Sequence, residues 1–339
     1  MKASWVYGRA AALLACGLFC VIAPSFAEGP IREFLKERRA KKEATPDATA
    51  ADAKAKIEKP GDYTFSIEYG GMTRKYLVHV PAKYNPANPT PMLLSFHGGG
   101  AHMEYQASEK NYGQISKSDK EGFVVVFPNG VGKLGDKLAT WNAGTCCGAA
   151  RDKNVDDVGF VKQIVSNLSG QLNIDHNKVF ATGMSNGGML VHRLACEIPD
   201  VIKAVASVAG PDGTVNCTPK TPISVLHIHA RNDDHAVFNG GSGQKSMSKS
   251  SITDFVSVPE TVSRWVRRDA CNATPKRVLD KPGAYCDEYS QCKGNVHVEL
   301  CVTETGKHSW PGAEHTRGDE PTSKAISAND VMWDFFMNR

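Results

Sequence analysis

The chain has 339 residues, of which 41% are hydrophobic, and it carries 40 Lys and Arg against 36 Asp and Glu. That length and apolar content are enough for one large domain or two small ones. The positive excess lies in the first 61 residues, because residues 62–339 hold 29 charges of each sign. A neutral main body argues against a nucleic-acid partner.

The first 27 residues have the pattern of a secretory signal peptide. Lys2 and Arg9 precede an apolar run, and Ser25-Phe26-Ala27 supplies small residues for cleavage. The apolar stretch over residues 10–24 is short for a transmembrane anchor, and a lipoprotein site at Cys16 is a lesser alternative. We therefore expect a secreted protein, extracellular or periplasmic, with no stable membrane anchor after cleavage.

Residues 28–61 form a segment of different composition. They are charged, rich in alanine and almost free of aromatic side chains. This composition predicts a flexible linker with a short helix near its start. The sequence becomes typical of a globular protein at Asp62, so we predict one folded domain over residues 62–339.

The folded domain begins with a predicted hairpin and continues as alternating strands and helices. Residues 63–81 alternate in polarity and turn at Gly70-Gly71. A helix is predicted from Asp156-Asp157 onward, and another ends the chain. Six short apolar runs predict buried strands: MLLSFH, FVVVFPNG, KVFATGMS, AVASVAG, ISVLHIHA and VHVELCVTE. The pattern predicts an α/β fold, a mostly parallel twisted sheet with helices on both faces.

The stretch ATGMSNGGML places Ser185 between glycines, where a predicted strand meets a predicted helix. Gly183 and Gly187 allow a sharp turn, because a Cβ at either position would crowd the neighbouring element. A G-x-S-x-G motif in this setting is the nucleophile elbow of an α/β-hydrolase. The motif alone also fits an ordinary turn, but the flanking strand and helix favour a nucleophile.

A nucleophilic serine needs a base to take its proton and an acid to orient that base. In an α/β-hydrolase the chain order is Ser, acid, His. Asp233 and Asp234 follow one later strand, and His308 follows the last strand. His315 is the one rival base, since it lies in the same loop region. We predict that Ser185, Asp233 and His308 are the catalytic residues.

The negative charge that develops during ester hydrolysis needs backbone N–H donors. The amide of Asn186, next to the nucleophile, is the first candidate. The loop HGGGAH follows a predicted strand, and its glycines let the backbone approach a substrate, so Gly99 is the second candidate. His97 opens this loop and is included among the predicted substrate-binding residues.

Eight of the ten cysteines lie beyond the predicted signal peptide. An even number in an exported chain indicates disulfides. The sequence has no C-x-x-C pair and no H-E-x-x-H motif, so we predict no metal site. Because a bond between the neighbours Cys146 and Cys147 would strain the backbone, at least one of them is expected to have a distant partner.

Several longer motifs resemble one family. They are SFHGGG, VVFPNG, WNAGTCCG, DDVGFV, ATGMSNGGMLVHRLACEIPD, LHIHARNDD and HSWPG. In order and spacing they resemble the polyhydroxybutyrate depolymerase-like esterases, which are grouped with feruloyl and acetylxylan esterases. The resemblance spans nearly all of residues 62–339 and implies that this part is an α/β-hydrolase catalytic domain.

The resemblance also implies roles for individual residues. It gives Ser185, Asp233 and His308 the roles already predicted and puts the second oxyanion donor at Gly99 or its neighbours. Trp141 and Trp310 would form walls of the acyl pocket. It further implies a Cys271–Cys292 disulfide, while Cys286 and Cys301 look additional to the family pattern and could pair together.

Two departures from the family pattern affect the site. Arg231 lies in the segment where the family usually has H-G-T-x-D, and it could pair with the acid. The choice between Asp233 and Asp234 therefore stays open. Lys307 stands where the family usually has glycine, which would alter the mouth of the cleft.

The predicted function is a secreted serine esterase that acts by an acyl-enzyme mechanism without a metal or organic cofactor. The expected substrates are poly- or oligo-3-hydroxybutyrate-type esters. The alternative is a feruloyl or acetylxylan esterase acting on plant polysaccharide esters. A serine peptidase and a non-catalytic binding protein on the same scaffold are the less favoured interpretations.

Overall fold

The computed structural model describes residues 47–48, 56–134, 137–245, 254–315 and 321–338. The predicted signal peptide and most of the predicted linker lie outside these residues. Among the helices that are described, none has both the length and the apolar character needed to cross a membrane.

Thirteen strands and seven α-helices are described. The strands are β1 (Asp47–Ala48), β2 (Gly61–Tyr69), β3 (Met72–Val80), β4 (Thr90–Phe96), β5 (Val124–Pro128), β6 (Val131–Leu134), β7 (Lys137–Thr140), β8 (Ile174–Met184), β9 (Ala204–Val208), β10 (Ser224–Ala230), β11 (Lys276–Lys281), β12 (Ala284–Tyr289) and β13 (Val298–Thr303). The helices are α1 (Met103–Gln106), α2 (Gln114–Glu121), α3 (Gly148–Asp152), α4 (Asp157–Gln171), α5 (Asn186–Glu197), α6 (Val258–Arg268) and α7 (Ala328–Met337).

Eleven of the strands form one sheet in the order β1-β2-β3-β5-β4-β8-β9-β10-β13-β12-β11. The six strands from β5 to β13 in this order run parallel to one another. Antiparallel pairs flank them on both sides, with the predicted hairpin β2–β3 on one side and β12–β11 on the other. The prediction of a mostly parallel sheet is confirmed.

The sheet is covered on both faces. Met92 and Leu94 of β4 belong to one apolar cluster and Leu93 belongs to the other, because side chains alternate along a strand. Helices α4, α5 and α6 contribute buried side chains to the first cluster, and α7 contributes Met332 and Phe336 to the second. The predicted helices on both faces are therefore confirmed, and β5, β9, β10 and β13 are buried along their whole length, as parallel strands usually are.

Helix α4 begins as the sequence predicts. Asp156 is its N-cap and accepts a hydrogen bond from the amide of Gly159 at 2.8 Å. Asp157 is instead fully buried and forms an ion pair with Arg74 at 2.8 Å. Its other carboxylate oxygen accepts the amide of Asn142. This buried pair therefore links α4 to the loop that follows β7.

Two contacts join the end of the predicted linker to the folded body. Ile57 is buried, and its amide donates a hydrogen bond to the carbonyl of Gln171 at 3.0 Å. Strand β1 pairs in parallel with Thr64 and Phe65 of β2. Asp47 and Ala48 are therefore joined to the sheet, and Ile57 is joined to the end of α4.

Three disulfides join cysteines that are distant in the sequence. They are Cys196–Cys217, Cys271–Cys292 and Cys286–Cys301. The second is the bond implied by the family resemblance, and the third joins the neighbouring strands β12 and β13. Both expected pairings are confirmed.

The expectation for Cys146 and Cys147 is wrong. The structure joins these two residues to each other, with a cis peptide bond between them. The other six cysteines of the described chain pair among themselves. No cysteine in the described ranges is therefore left to serve as a distant partner for either residue.

Candidate active site

Ser185 occupies the sharp turn between β8 and α5. Its φ of 55° is rare for a residue with a side chain and matches the predicted elbow. The two glycines are needed at this turn. A Cβ on Gly187 would lie 2.3 Å from the carbonyl oxygen of Phe96, and a Cβ on Gly183 would lie 2.4 Å from the carbonyl carbon of Gly187.

The predicted acid and the predicted base follow two adjacent parallel strands. Asp233 comes after β10 and His308 comes after β13, and these strands pair directly. The carboxyl ends of parallel neighbours lie at the same edge of the sheet, where β8 also ends at Ser185. There Oδ2 of Asp233 lies 2.8 Å from Nδ1 of His308.

Asp233 is held by several donors. Its Oδ1 accepts the backbone amides of His235 at 2.8 Å and Ala236 at 2.9 Å. Nε2 of the buried His229 lies 3.3 Å from Oδ2. Burial raises the pKa of Asp233, but the charge of His308 and the hydrogen bonds from the two histidines lower it more, to well below its usual range. The carboxylate is therefore ionised and oriented towards His308.

Asp234 has different partners. Its Oδ1 lies 2.8 Å from Nδ1 of His235, and its Oδ2 lies 3.4 Å from Nζ of Lys245 and 3.8 Å from Nζ of Lys307. Arg231 pairs with Glu304 at 3.0 Å. The geometry therefore places Asp233, and not Asp234, next to His308.

His315 lines the same cleft as His308 but lacks the carboxylate contact. It is exposed, and its backbone amide donates a hydrogen bond to the carbonyl of Lys110. Among the described residues, Asp233 contacts His308 and His229, not His315. This arrangement favours His308 as the base.

A cleft of 760 Å³ opens at this edge of the sheet. It is lined by Ser185, His308, Asn186, Gly99 and Trp310, all of which were predicted from the sequence. Asp233 lies buried behind His308. The structure therefore brings the predicted nucleophile, base and oxyanion donors to one cavity.

The glycine loop approaches Ser185 closely. A Cβ on Gly98 would lie 3.5 Å from the Cβ of Ser185. The amide of Gly100 donates to the carbonyl of Ala139 at 2.8 Å, which fixes the course of the loop. The amide of Asn186 lies in the first turn of α5, where amides have no acceptor within the helix. Both backbone segments thus face the region where a substrate carbonyl would bind.

The structure corrects two predicted substrate contacts, Trp141 and His97. Both are fully buried, and neither lines the cleft. The indole N–H of Trp141 donates to the carbonyl of His97 at 2.9 Å. Both backbone groups of Trp141 bond to the side-chain amide of Asn186, at 2.7 and 3.0 Å. Trp141 therefore supports the cleft from behind.

His97 supports the glycine loop in a similar way. Its Nε2 accepts the amide of Gly130 at 3.0 Å, so Nδ1 carries the proton and donates to the carbonyl of Gly98 at 2.8 Å. Burial lowers the pKa of His97 to about 4. The neutral ring thus ties the loop after β4 to the loop after β5.

Trp310 does line the cleft, as predicted, and belongs to a row of aromatic rings. Tyr112 packs edge to face against Trp310 at 5.3 Å and against Tyr105 at 5.9 Å. All three line the cavity. The two tyrosines were not predicted, because nothing in their local sequence distinguishes them from other core-forming aromatic residues.

His235 is a second cleft residue that was not predicted. Its ring stacks on that of His308 with the centroids 4.5 Å apart and the planes 18° from parallel. Burial and the neighbouring His308 lower its pKa. Its position directly after the two aspartates is the signal that could have identified it.

Within the described part of the chain, two side-chain clusters have metal-ligating donors. Asp233, His235 and His308 place donor atoms within 4.8 Å of one another, and so do Cys286, Glu299 and Cys301. In the first cluster, however, Asp233 contacts His308 directly. In the second, both cysteines belong to a disulfide. The donors of both clusters are therefore engaged with protein partners.

Comparison with known proteins places the chain in a family. The putative esterase family matches residues 68–283. Feruloyl esterase B of Piromyces equi is 29% identical over 245 residues, which cover 70% of this chain and 42% of that protein. The chain thus spans less than half the length of that relative. The putative esterase NocK of Nocardia uniformis subsp. tsuyamanensis is 28% identical over 288 residues, covering 80% of this chain and 81% of that protein.

A solved structure shows the same architecture. The acetyl xylan esterase from Aspergillus awamori superposes with a TM-score of 0.55 at 12% identity, covering 81% of this chain and 99% of that one. At that identity the likeness concerns the fold, which is that of an α/β-hydrolase. With the family match over most of the folded body, the chain belongs to the putative esterase family.

Proposed function

We propose that the protein is a serine carboxylic ester hydrolase with Ser185 as nucleophile, His308 as base and Asp233 as orienting acid. The observation that carries this proposal is the 2.8 Å contact between Asp233 and His308 in the cleft that Ser185 lines. The family match supports the reaction class, since the family is described as esterases.

The proposed reaction has two steps. His308 takes the proton of Ser185 as its Oγ attacks the ester carbonyl, and the amides of Asn186 and Gly99 stabilise the oxyanion. His308 then gives its proton to the departing alcohol, leaving an acyl-enzyme. Water, deprotonated by the same histidine, releases the acid and restores Ser185. No step requires a cofactor.

We propose an aromatic acyl group as the preferred acid part of the ester. Tyr105, Tyr112 and Trp310 line the cleft and form an aromatic row against which a planar acid could pack, chiefly at Tyr105, because Tyr112 and Trp310 are largely buried. Feruloyl esterase B of Piromyces equi is similar to this chain in sequence, and its name indicates a feruloyl ester as its substrate. Feruloyl esters therefore replace 3-hydroxybutyrate-type esters as our first candidate substrates, and acetylxylan stays an alternative.

We also propose that the protein functions outside the reducing cytoplasm. Four disulfides are present in the described residues, and such bonds persist in oxidising compartments. This agrees with the signal peptide predicted from residues 1–27.

The test is the Ser185→Ala variant, assayed with methyl ferulate and a nitrophenyl ester. We expect turnover to fall on the order of 10⁴-fold or more, because no other group replaces the nucleophile. Ser166→Ala, on the exposed side of α4, is the matched control and should keep full activity. If Ser185→Ala hydrolyses both esters as fast as the parent protein, the proposal is wrong.

A further inference from the structure

The charge of the cleft is one-sided. Its lining includes one lysine, Lys245, and three histidines, His235, His308 and His315. Among the described residues that line it there is no aspartate or glutamate. Asp233 is buried behind His308 and does not line the cleft. A substrate entering this cleft therefore meets positive and neutral groups.

Lys245 lies on the same side of the cleft as the proposed base. Its Nζ is 3.4 Å from Asp234, which also contacts Nδ1 of His235 at 2.8 Å. The ring of His235 stacks directly on His308. Nζ of Lys307 approaches the same carboxylate at 3.8 Å. The ammonium groups of Lys245 and Lys307 thus share the carboxylate of Asp234. These three side chains together carry a net positive charge.

The chemistry of the reaction decides which part of the substrate meets this cluster. In the proposed mechanism His308 delivers a proton to the oxygen of the leaving alcohol. The alcohol part of the ester must therefore lie on the His308 side of Ser185. His235, which packs against His308, and Lys245, which is joined to His235 through Asp234, border the space that this alcohol occupies.

We propose that the alcohol part of the preferred ester carries a carboxylate and that Lys245 binds it. This inference rests on the proposed esterase function and refines its substrate class. The carboxylate could belong to a hydroxy acid or to an acidic sugar, since both place an anion close to the ester oxygen. Lys245 is 55% exposed on its side chain, so the ion pair is expected to contribute modestly.

The experiment compares esters that differ only in charge. Carboxymethyl ferulate and its primary amide have the same size, and the ratio of their kcat/KM values isolates the effect of the anion. We expect the parent protein to prefer the acid. Lys245→Met should lower the ratio roughly two- to fivefold, the range for an exposed ion pair. Lys245→Arg should retain the preference, and added salt should reduce it.

The control is Lys178→Met, in the exposed middle part of β8 and away from the end of that strand where Ser185 lies, which should leave the ratio unchanged. A second pair, feruloyl glucuronate and feruloyl glucose, distinguishes an acidic sugar from a hydroxy acid. If neither anionic ester is preferred, or if Lys245→Met keeps the parent ratio, the inference is wrong. Failure of the esterase proposal gives a different result, because then the ester bond of the neutral compound is not hydrolysed either.

Discussion

Asp233 and Asp234 are adjacent in the sequence, yet their surroundings differ. Asp233 is buried, accepts two backbone amides and contacts His308. Asp234 contacts His235 and two lysines at the cleft rim. The sequence left this choice open, because neighbouring residues in a loop can point in any direction. In the structure the amides of His235 and Ala236 hold Asp233 towards His308, and Arg231 pairs with Glu304 instead of with either aspartate.

This contrast gives a matched pair of variants. Asp233→Asn should lower kcat on the order of 10³–10⁴-fold, because an amide can hold His308 in the wrong tautomer and does not stabilise its cation. Asp234→Asn should lower kcat for neutral esters far less. Steady-state kinetics with methyl ferulate provide the measurement. Equal losses in the two variants would show that the assignment of the acid is wrong.

Trp141 and His97 show why motif positions do not by themselves identify substrate contacts. Both lie in motifs that resemble the esterase family, and both are close to the nucleophile through Asn186 and Gly98. Whether a side chain faces the cleft or lies behind it depends on tertiary packing. That information is absent from a single sequence, so their supporting role could only be found in the structure.

At the scale of secondary structure, the strands buried on both faces were predictable, whereas one exposed hairpin and one half-buried helix were not. The six apolar runs match β4, β5, β8, β9, β10 and β13, because strands buried on both faces leave continuous hydrophobic sequence. The hairpin β11–β12 was not predicted. Most residues of β11 are exposed, so its sequence carries little burial pattern. Helix α6 was also not predicted, although Ser257 caps it and Pro259 and Glu260 lie in its first turn.

The end of α6 holds a group that should make stability depend on pH. Asp269 is fully buried, and burial raises its pKa to about 7. In the unfolded chain this carboxyl ionises near pH 4. Between about pH 4 and pH 7 the carboxyl of Asp269 is ionised in the unfolded chain but protonated in the folded protein. Raising the pH through this range therefore favours unfolding. The contribution of Asp269 to stability is therefore full below about pH 4 and is lost as pH rises towards 7.

The Asp269→Asn variant tests this pH dependence. It has no proton to lose, so its free energy of unfolding relative to the parent should rise by roughly 2–4 kcal/mol between pH 4 and pH 8. Urea unfolding of both proteins at the two pH values gives the difference, and other titrating groups cancel in it. A difference that does not change with pH would contradict the assignment.

At the scale of the whole molecule, the sheet determines the site. The strands β8, β10 and β13 are neighbours or near neighbours and run parallel, so their carboxyl ends deliver Ser185, Asp233 and His308 to one edge. The chain order of these residues could be read from the sequence. Their convergence could not, because it depends on the strand order β8-β9-β10-β13, which only the structure shows.

The Cys271–Cys292 disulfide is expected to act on stability and not on the site. Cys271–Cys292 links the end of α6 to the segment after β12 and lies outside the cleft lining. Replacing both cysteines with serine should lower the free energy of unfolding by about 3 kcal/mol, because the unfolded chain gains freedom. The value of kcat should be unchanged. Denaturant unfolding and a rate assay on the same variant check both statements, and unaltered stability would contradict the first.

The most direct test of the account is covalent labelling with a fluorophosphonate, followed by mass mapping of the modified peptide. An activated serine reacts with this probe, whereas an ordinary serine does not. We predict a single modified residue, Ser185, and much slower labelling in a folded His308→Ala variant. A label on another residue, or a rate that is the same without His308, would contradict the proposed catalytic residues.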